Sequence, residues 1–92
     1  MIVRIATEQQ YQLPDEVRQK LNDLDNEAVA AVEAGDEPRF HELFEKMLHT
    51  VRSEGHLLDD GELRGSDVIL PPPDTSFAEA AGDFTGEGLI PD

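Results

Sequence analysis

Three side chains with metal-binding chemistry stand in a row, His41, Glu45 and His49. Their four-residue spacing places them along one side of a helix, and zinc sites use imidazole and carboxylate ligands presented in this way. A zinc site also needs ligands that converge on one point, and the sequence offers no fourth ligand at a diagnostic spacing. The row therefore favours a solvated polar helix face, with a metal site as the weaker alternative.

A second group of candidates is the acidic stretch Asp59–Asp60 with Glu62 and Asp67. These oxygen ligands do not follow the twelve-residue calcium loop, so a solvated loop is favoured. No serine lies in a G-x-S-x-G turn, and the glycine-rich GDFTGEG follows a predicted helix, lacks lysine and carries acids that repel phosphate. We therefore predict no catalytic residues, no cofactor and no metal, in a protein that is not an enzyme.

The chain is short and strongly acidic: 92 residues, 21 acids against 7 lysines and arginines, a net charge of −14 and no cysteine. Such a length gives one domain with a small core, for which packing on a partner or on a second copy is favoured. The negative charge repels nucleic acid and anionic lipid. No stretch reaches the ~20 apolar residues of a membrane span, so we expect a cytoplasmic protein without membrane insertion.

The first half of the chain predicts a β-hairpin and then a helical hairpin. Residues 2–5 and 10–13 alternate apolar and polar side chains, as half-buried strands do. Apolar residues then recur at helical spacing over residues 15–34 and 37–54, with Gly35 as a left-handed cap and Asp36 as the next N-cap. Because the connection is so short, the two helices must pack antiparallel.

The last third predicts a loop over residues 56–67, a strand at Val68–Leu70 and an extended polyproline spacer at residues 71–73. Ser76 and Glu79 form a capping box for a short helix over residues 76–81. The predicted fold is α+β: an N-terminal β-hairpin and a third short strand form a small antiparallel sheet that packs on the helical hairpin, with a short C-terminal helix.

Five apolar residues are candidate contacts for a partner. Val29 and Val32 widen the apolar surface of the first helix beyond its core seam. Phe77 lies on the short helix that the proline spacer positions, and Leu89 and Ile90 give the chain end an apolar docking segment. The exposed edge of the small sheet is a further candidate.

Four segments of the sequence, in order and over nearly the whole chain, resemble one family. They are MIVRI…QYQLP, LDNEAVAAVEAGDEPRFHELF, SDVILPPPDTSFAEA and GEGLIPD. Together they look like the PspAA family, small proteins associated with phage shock protein A, and SDVILPPPD and EGLIP are the most specific parts. One departure is the turn after the first strand, where this chain has ATEQQ in place of glycines.

The resemblance implies a partner and no catalytic residues. Phage shock protein A is a coiled-coil protein, related to the ESCRT-III group, that assembles on stressed membranes. Its companion is expected to be a cytoplasmic adaptor or regulator in the envelope stress response, peripheral at the inner membrane through that partner. Two alternatives stay open: a homo-oligomeric structural module, and a small metal-binding protein.

Overall fold

A computed structural model of the chain describes residues 1–58, 65–84 and 88–89. The described residues form a four-stranded sheet, two long helices and one short helix, which confirms the predicted α+β class. The elements are β1 (Ile2–Ile5), β2 (Gln10–Gln12), α1 (Asp15–Glu33), α2 (Glu37–Glu54), β3 (His56–Leu57), β4 (Val68–Leu70) and α3 (Phe77–Asp83). In the described part of the chain, no helix has the length and apolar character needed to cross a membrane.

The sheet is mixed, with strand order β3-β2-β1-β4. β1 pairs antiparallel with β2, where Val3 faces Tyr11, and parallel with β4, where Val3 faces Val68. The prediction of a wholly antiparallel sheet was therefore wrong. β4 does not pair with the strand that precedes it in the chain, so hairpin connectivity gave no information on its direction. The prediction of a loop at residues 56–67 was wrong at its start, since His56–Leu57 forms β3.

The turn between β1 and β2 closes without glycine. Thr7 takes the left-handed conformation, with φ 68°, and the Glu8 N–H donates to the Ile5 carbonyl oxygen at 2.8 Å. The Arg52 Nε donates to the Glu8 carboxylate at 3.1 Å and Nη2 makes a second bond, so the turn is tied to the last part of α2. This hydrogen bond to Glu8 raises the pKa of the Arg52 guanidinium above its ordinary value.

The connection between α1 and α2 is confirmed as predicted. Gly35 has φ +69°, a conformation that glycine adopts at little cost, and the Asp36 N–H donates back to the Ala31 carbonyl at 2.9 Å. The Asp36 carboxylate then accepts from the Arg39 N–H at 3.2 Å and caps α2. One short segment therefore ends the first helix and starts the second, which fixes the antiparallel hairpin.

The far end of α2 is packed closely on β2. A Cβ at Gly55 would lie 2.7 Å from Leu13 Cδ2, 3.1 Å from Tyr11 Cβ and 2.5 Å from the Val51 carbonyl oxygen. No side chain fits there, so glycine is required by the close approach rather than by its φ of −85°. This contact places the sheet at the end of the hairpin where α1 begins and α2 ends.

Residues 72–75, at the end of the predicted proline spacer, form a turn before α3. The N–H and the hydroxyl of Thr75 both donate to the Pro72 carbonyl, at 3.0 and 2.7 Å. The predicted cap of the following helix is confirmed, because the Ser76 hydroxyl accepts from the Glu79 N–H at 3.3 Å. Proline is common at the second position of such a turn, and it redirects the chain towards the helices.

α3 packs on α2 through aromatic rings. The ring of Phe40 lies 5.7 Å from Phe77 and 5.1 Å from Phe84, both edge to face, and Phe44 lies 6.0 Å from Phe84. Such arrangements are favourable beyond the buried area alone. Side chains from β1, β4 and all three helices belong to one apolar cluster, and Tyr11 of β2 packs against it, so the described part of the chain has a single continuous core.

Candidate interaction surfaces

The candidate partner contacts on α1 and near the chain end take part in the core. Val29 is only 7% exposed. Val32, Phe77 and Leu89 are partly buried and pack against the core cluster. Ile90 lies outside the described residues. The four described side chains therefore pack within the domain, and among these four a partner would contact only the exposed parts of Val32, Phe77 and Leu89.

A buried carboxylate in the middle of α1 holds the segment near the chain end. Asp25 is 0% exposed, and its Oδ1 accepts from the Leu89 N–H at 3.1 Å. Gly88 has φ +79°, and a Cβ built on it would lie 2.8 Å from both Cγ and Oδ1 of Asp25. Backbone without a side chain is therefore packed directly on the carboxylate. We call this contact between Asp25 and Gly88–Leu89 the tail contact.

Sequence reasoning missed the role of Asp25, although a signal was present. Asp25 lies four residues after Leu21 and three before Ala28, both fully buried on α1. An acid at a core-facing helical position is rare unless a hydrogen-bond partner is buried with it. This position therefore indicated a buried polar contact, and the Leu89 N–H is one partner that the sequence did not reveal.

The solvent side of the helical hairpin carries a groove of about 570 Å³. Its floor is formed by Leu24, which is partly buried, and Thr50, which is buried. Its rim is made of exposed polar and charged side chains from the two helices: Lys20, Asp23, Glu42, Glu45, Lys46 and His49. Every described lining residue comes from α1 or α2. We call this feature the helix groove.

The two basic side chains of the groove rim are already paired with acids. Lys20 Nζ lies 2.8 Å from Glu54 Oε1, in a contact that joins α1 to α2, and Lys46 Nζ lies 3.4 Å from Glu42 Oε1. Asp23 and Glu45, one from each helix, make no ion pair within the described residues; Asp23 accepts a hydrogen bond from the Gln19 amide. The uncompensated charge on the rim is therefore negative.

The helical row of His41, Glu45 and His49 lies on α2. The Nε2 of His41 is 3.6 Å from Glu37 Oε1 and its ring contacts Phe40, while Glu45 and His49 line the helix groove. Among the described residues, no group of three or more histidines and carboxylates is placed to hold a metal ion. The acidic stretch Asp59–Asp60 with Glu62 lies outside the described residues.

The two edge strands each expose one large apolar side chain. Leu57 on β3 is 52% exposed and Ile69 on β4 is 59% exposed. Edge strands also present backbone groups that are not used within the sheet. The predicted edge candidate thus corresponds to two separate positions at opposite sides of the sheet.

The fold and these surfaces define a small acidic α+β domain whose features are an open groove on a helical hairpin and a segment at residues 88–89 that is docked on the first helix. Comparison with known families identifies it further: a family model described as PspAA, PspA-Associated protein, matches residues 1–92, and the chain belongs to this family. No curated protein matches the chain significantly. No solved structure does so either.

Proposed function

We propose that the protein is a non-catalytic adaptor or regulator that binds a phage shock protein A-like coiled-coil protein in the membrane and envelope stress response. The observation that carries the proposal is the family match, which covers the whole chain and whose description links it to PspA. The role is exerted in the cytoplasm, and the protein reaches the inner membrane only through its partner.

The charge of the chain supports a protein partner. A net charge of −14 on 92 residues repels anionic lipid and nucleic acid and attracts a basic protein surface. The complex is therefore expected to form faster and more tightly at low ionic strength, because added salt screens such attraction.

Co-purification with a phage shock protein A-like coiled coil tests the proposal. The full chain, immobilised through an added tag, should retain the coiled-coil protein at low salt and lose it progressively as salt is raised. The immobilised tag alone and an unrelated acidic protein of similar charge are the controls. Absence of binding at low salt, with both proteins shown to be folded, would refute the proposal for that pair.

The exposed edge strands favour a second candidate, a homo-oligomeric structural module. Leu57 and Ile69 are large apolar side chains in solvent, and pairing of an edge strand with a second copy would bury one of them. Light scattering on a concentration series distinguishes the candidates: a constant monomer mass rules out the module, whereas a dimer mass that Ile69→Lys abolishes supports it.

A further inference from the structure

We propose that the helix groove binds one amphipathic helix of a protein partner, with its apolar stripe on Leu24 and Thr50 and its lysine or arginine flanks against Asp23 and Glu45. The inference deepens the proposed function and rests on it, since that function supplies a helical partner. It names a surface that shares no residue with the five apolar candidates found in the sequence.

The backbone hydrogen bonding of the two lining helices favours a helix over an extended peptide as the ligand of the groove. The rim is formed by the side chains of two helices whose backbone N–H and C=O groups bond within each helix. The groove therefore offers no backbone partner to a strand, whereas a helix brings its own backbone hydrogen bonds with it. The residues that line the groove span 20–24 on α1 and 42–50 on α2. At 1.5 Å per residue the longer span gives about 13 Å, or two to three turns, for an incoming helix to lie against.

The charges of the groove select basic flanks. Lys20 and Lys46 are engaged with Glu54 and Glu42, so their charge is largely compensated before a partner arrives. Asp23 and Glu45 project from opposite helices without an ion pair in the described part of the chain, and the net charge of the chain has the same sign. A helix with acidic flanks would add like charge on both sides, which disfavours it.

The apolar floor is narrow, so the charged rim must contribute much of the specificity. In the described part of the chain only Leu24 and Thr50 provide that floor, whereas a standard interface buries about 800 Å² on each partner. We therefore expect a moderate affinity that falls with salt concentration, and a discrimination between partner helices that depends on the sign of their flanking charges.

The test uses the full chain and two synthetic helical peptides that share one leucine stripe, one with lysine flanks and one with glutamate flanks. The variant Asp23→Lys/Glu45→Lys reverses the rim charge. The control Asp74→Lys/Asp83→Lys makes the same change in net charge at exposed residues outside α1 and α2. All four sites are exposed, so both variants should keep the wild-type melting temperature.

The lysine-flanked peptide should shift the backbone amide resonances of Leu24, Glu45 and Thr50. The rim variant should weaken its binding roughly tenfold or more, because two attractive contacts become repulsive. The control variant should change binding less than about threefold, since its charges lie outside the groove and are screened. Equal binding of the two peptides, equal effects of the two variants, shifts confined to other surfaces, or no binding would each overturn the inference.

The same variants in the coiled-coil co-purification separate this inference from the proposed function. If the rim variant does not retain the coiled coil and the control variant does, the result supports both the groove inference and the proposed function. If the coiled coil binds wild type and both variants equally, the groove is not its binding surface and only the inference fails. If wild type never retains the coiled coil, the proposed function fails, and the peptide titration alone decides on the groove.

Discussion

Replacement of Gly88 by alanine should release the segment near the chain end from α1. In the tail contact, Gly88 is in the left-handed conformation with φ +79°, and a Cβ would overlap the Asp25 carboxylate. Gly88→Ala is therefore destabilising for two separate reasons. Residue 88 must hold a left-handed backbone conformation, and its Cβ overlaps the Asp25 carboxylate. Gly35 offers a matched reference, because its φ is +69° but no atom lies within 4 Å of the added Cβ.

The expected loss in the free energy of unfolding is the sum of these two costs. The left-handed conformation costs a residue with a Cβ about 1–2 kcal/mol, which sets the cost of Gly35→Ala. Overlap with a buried group adds about 1–3 kcal/mol at Gly88. The free energy of unfolding should thus fall by about 2–5 kcal/mol in Gly88→Ala, unless the segment undocks first. Undocking limits the loss to the free energy with which the segment binds the helices.

A double-mutant cycle isolates the part of the free-energy loss in Gly88→Ala that comes from contact with Asp25. Asp25→Ala removes the carboxylate, so Gly88→Ala in that background should cost no more than Gly35→Ala does. The interaction free energy between the two sites is then expected to be about 1–3 kcal/mol, well above the 0.3–0.5 kcal/mol within which independent sites usually add. Asp25→Asn keeps an amide oxygen to accept the Leu89 N–H and is the conservative companion variant.

Urea denaturation and amide hydrogen exchange measure the two parts of this prediction. Denaturation gives the free energy of unfolding for each variant in the cycle. Exchange should rise at Leu89 in Gly88→Ala while the amides of α2 stay protected, because the segment opens without unfolding the helices. The reasoning is refuted if amide exchange at Leu89 is unchanged in Gly88→Ala, or if the costs of Asp25→Ala and Gly88→Ala simply add.

Three further substitutions test the packing of the domain. Phe44→Ala should lower the free energy of unfolding by about 3–5 kcal/mol, since its ring is in the aromatic core; a melting temperature within a few degrees of wild type would contradict this. Gly55→Ala should cost about 1–3 kcal/mol, because its Cβ meets β2, whereas Gly65→Ala, with nothing within 4 Å, should be near neutral; equal effects would disprove the close approach. Ser76→Ala should cost about 1 kcal/mol and speed amide exchange in α3 alone; unchanged exchange would mean that the cap is dispensable.

The helix ends were predictable from the sequence because their determinants are local. The Gly35 turn and the Asp36 cap act on residues three to five positions away, and Ser76 caps the N–H of Glu79 in the same way. Such contacts depend on residue type and spacing and need no knowledge of distant parts of the chain. For the same reason the helical hairpin and α3 agree closely with their predicted ranges.

Three of the features that sequence reasoning missed depend on distant partners. β3 has two residues, too few for an alternation, and becomes a strand only because β2 offers an edge. The direction of β4 depends on its place beside β1, a neighbour 65 residues earlier along the chain, where Val3 faces Val68. Asp25 and Leu89 are separated by 64 residues. Periodicity and turn chemistry do not report such pairings, which are settled by packing.

The helix groove and the tail contact use different sides of the same turn of α1. Leu24 lies on the groove floor, and its neighbour Asp25 is buried against the chain-end segment. Successive residues on a helix point about 100° apart, so a ligand on Leu24 does not contact the carboxylate of Asp25. Effects of Asp23→Lys/Glu45→Lys on binding and of Gly88→Ala on docking are therefore separable by experiment, and each surface can be removed while the other stays intact.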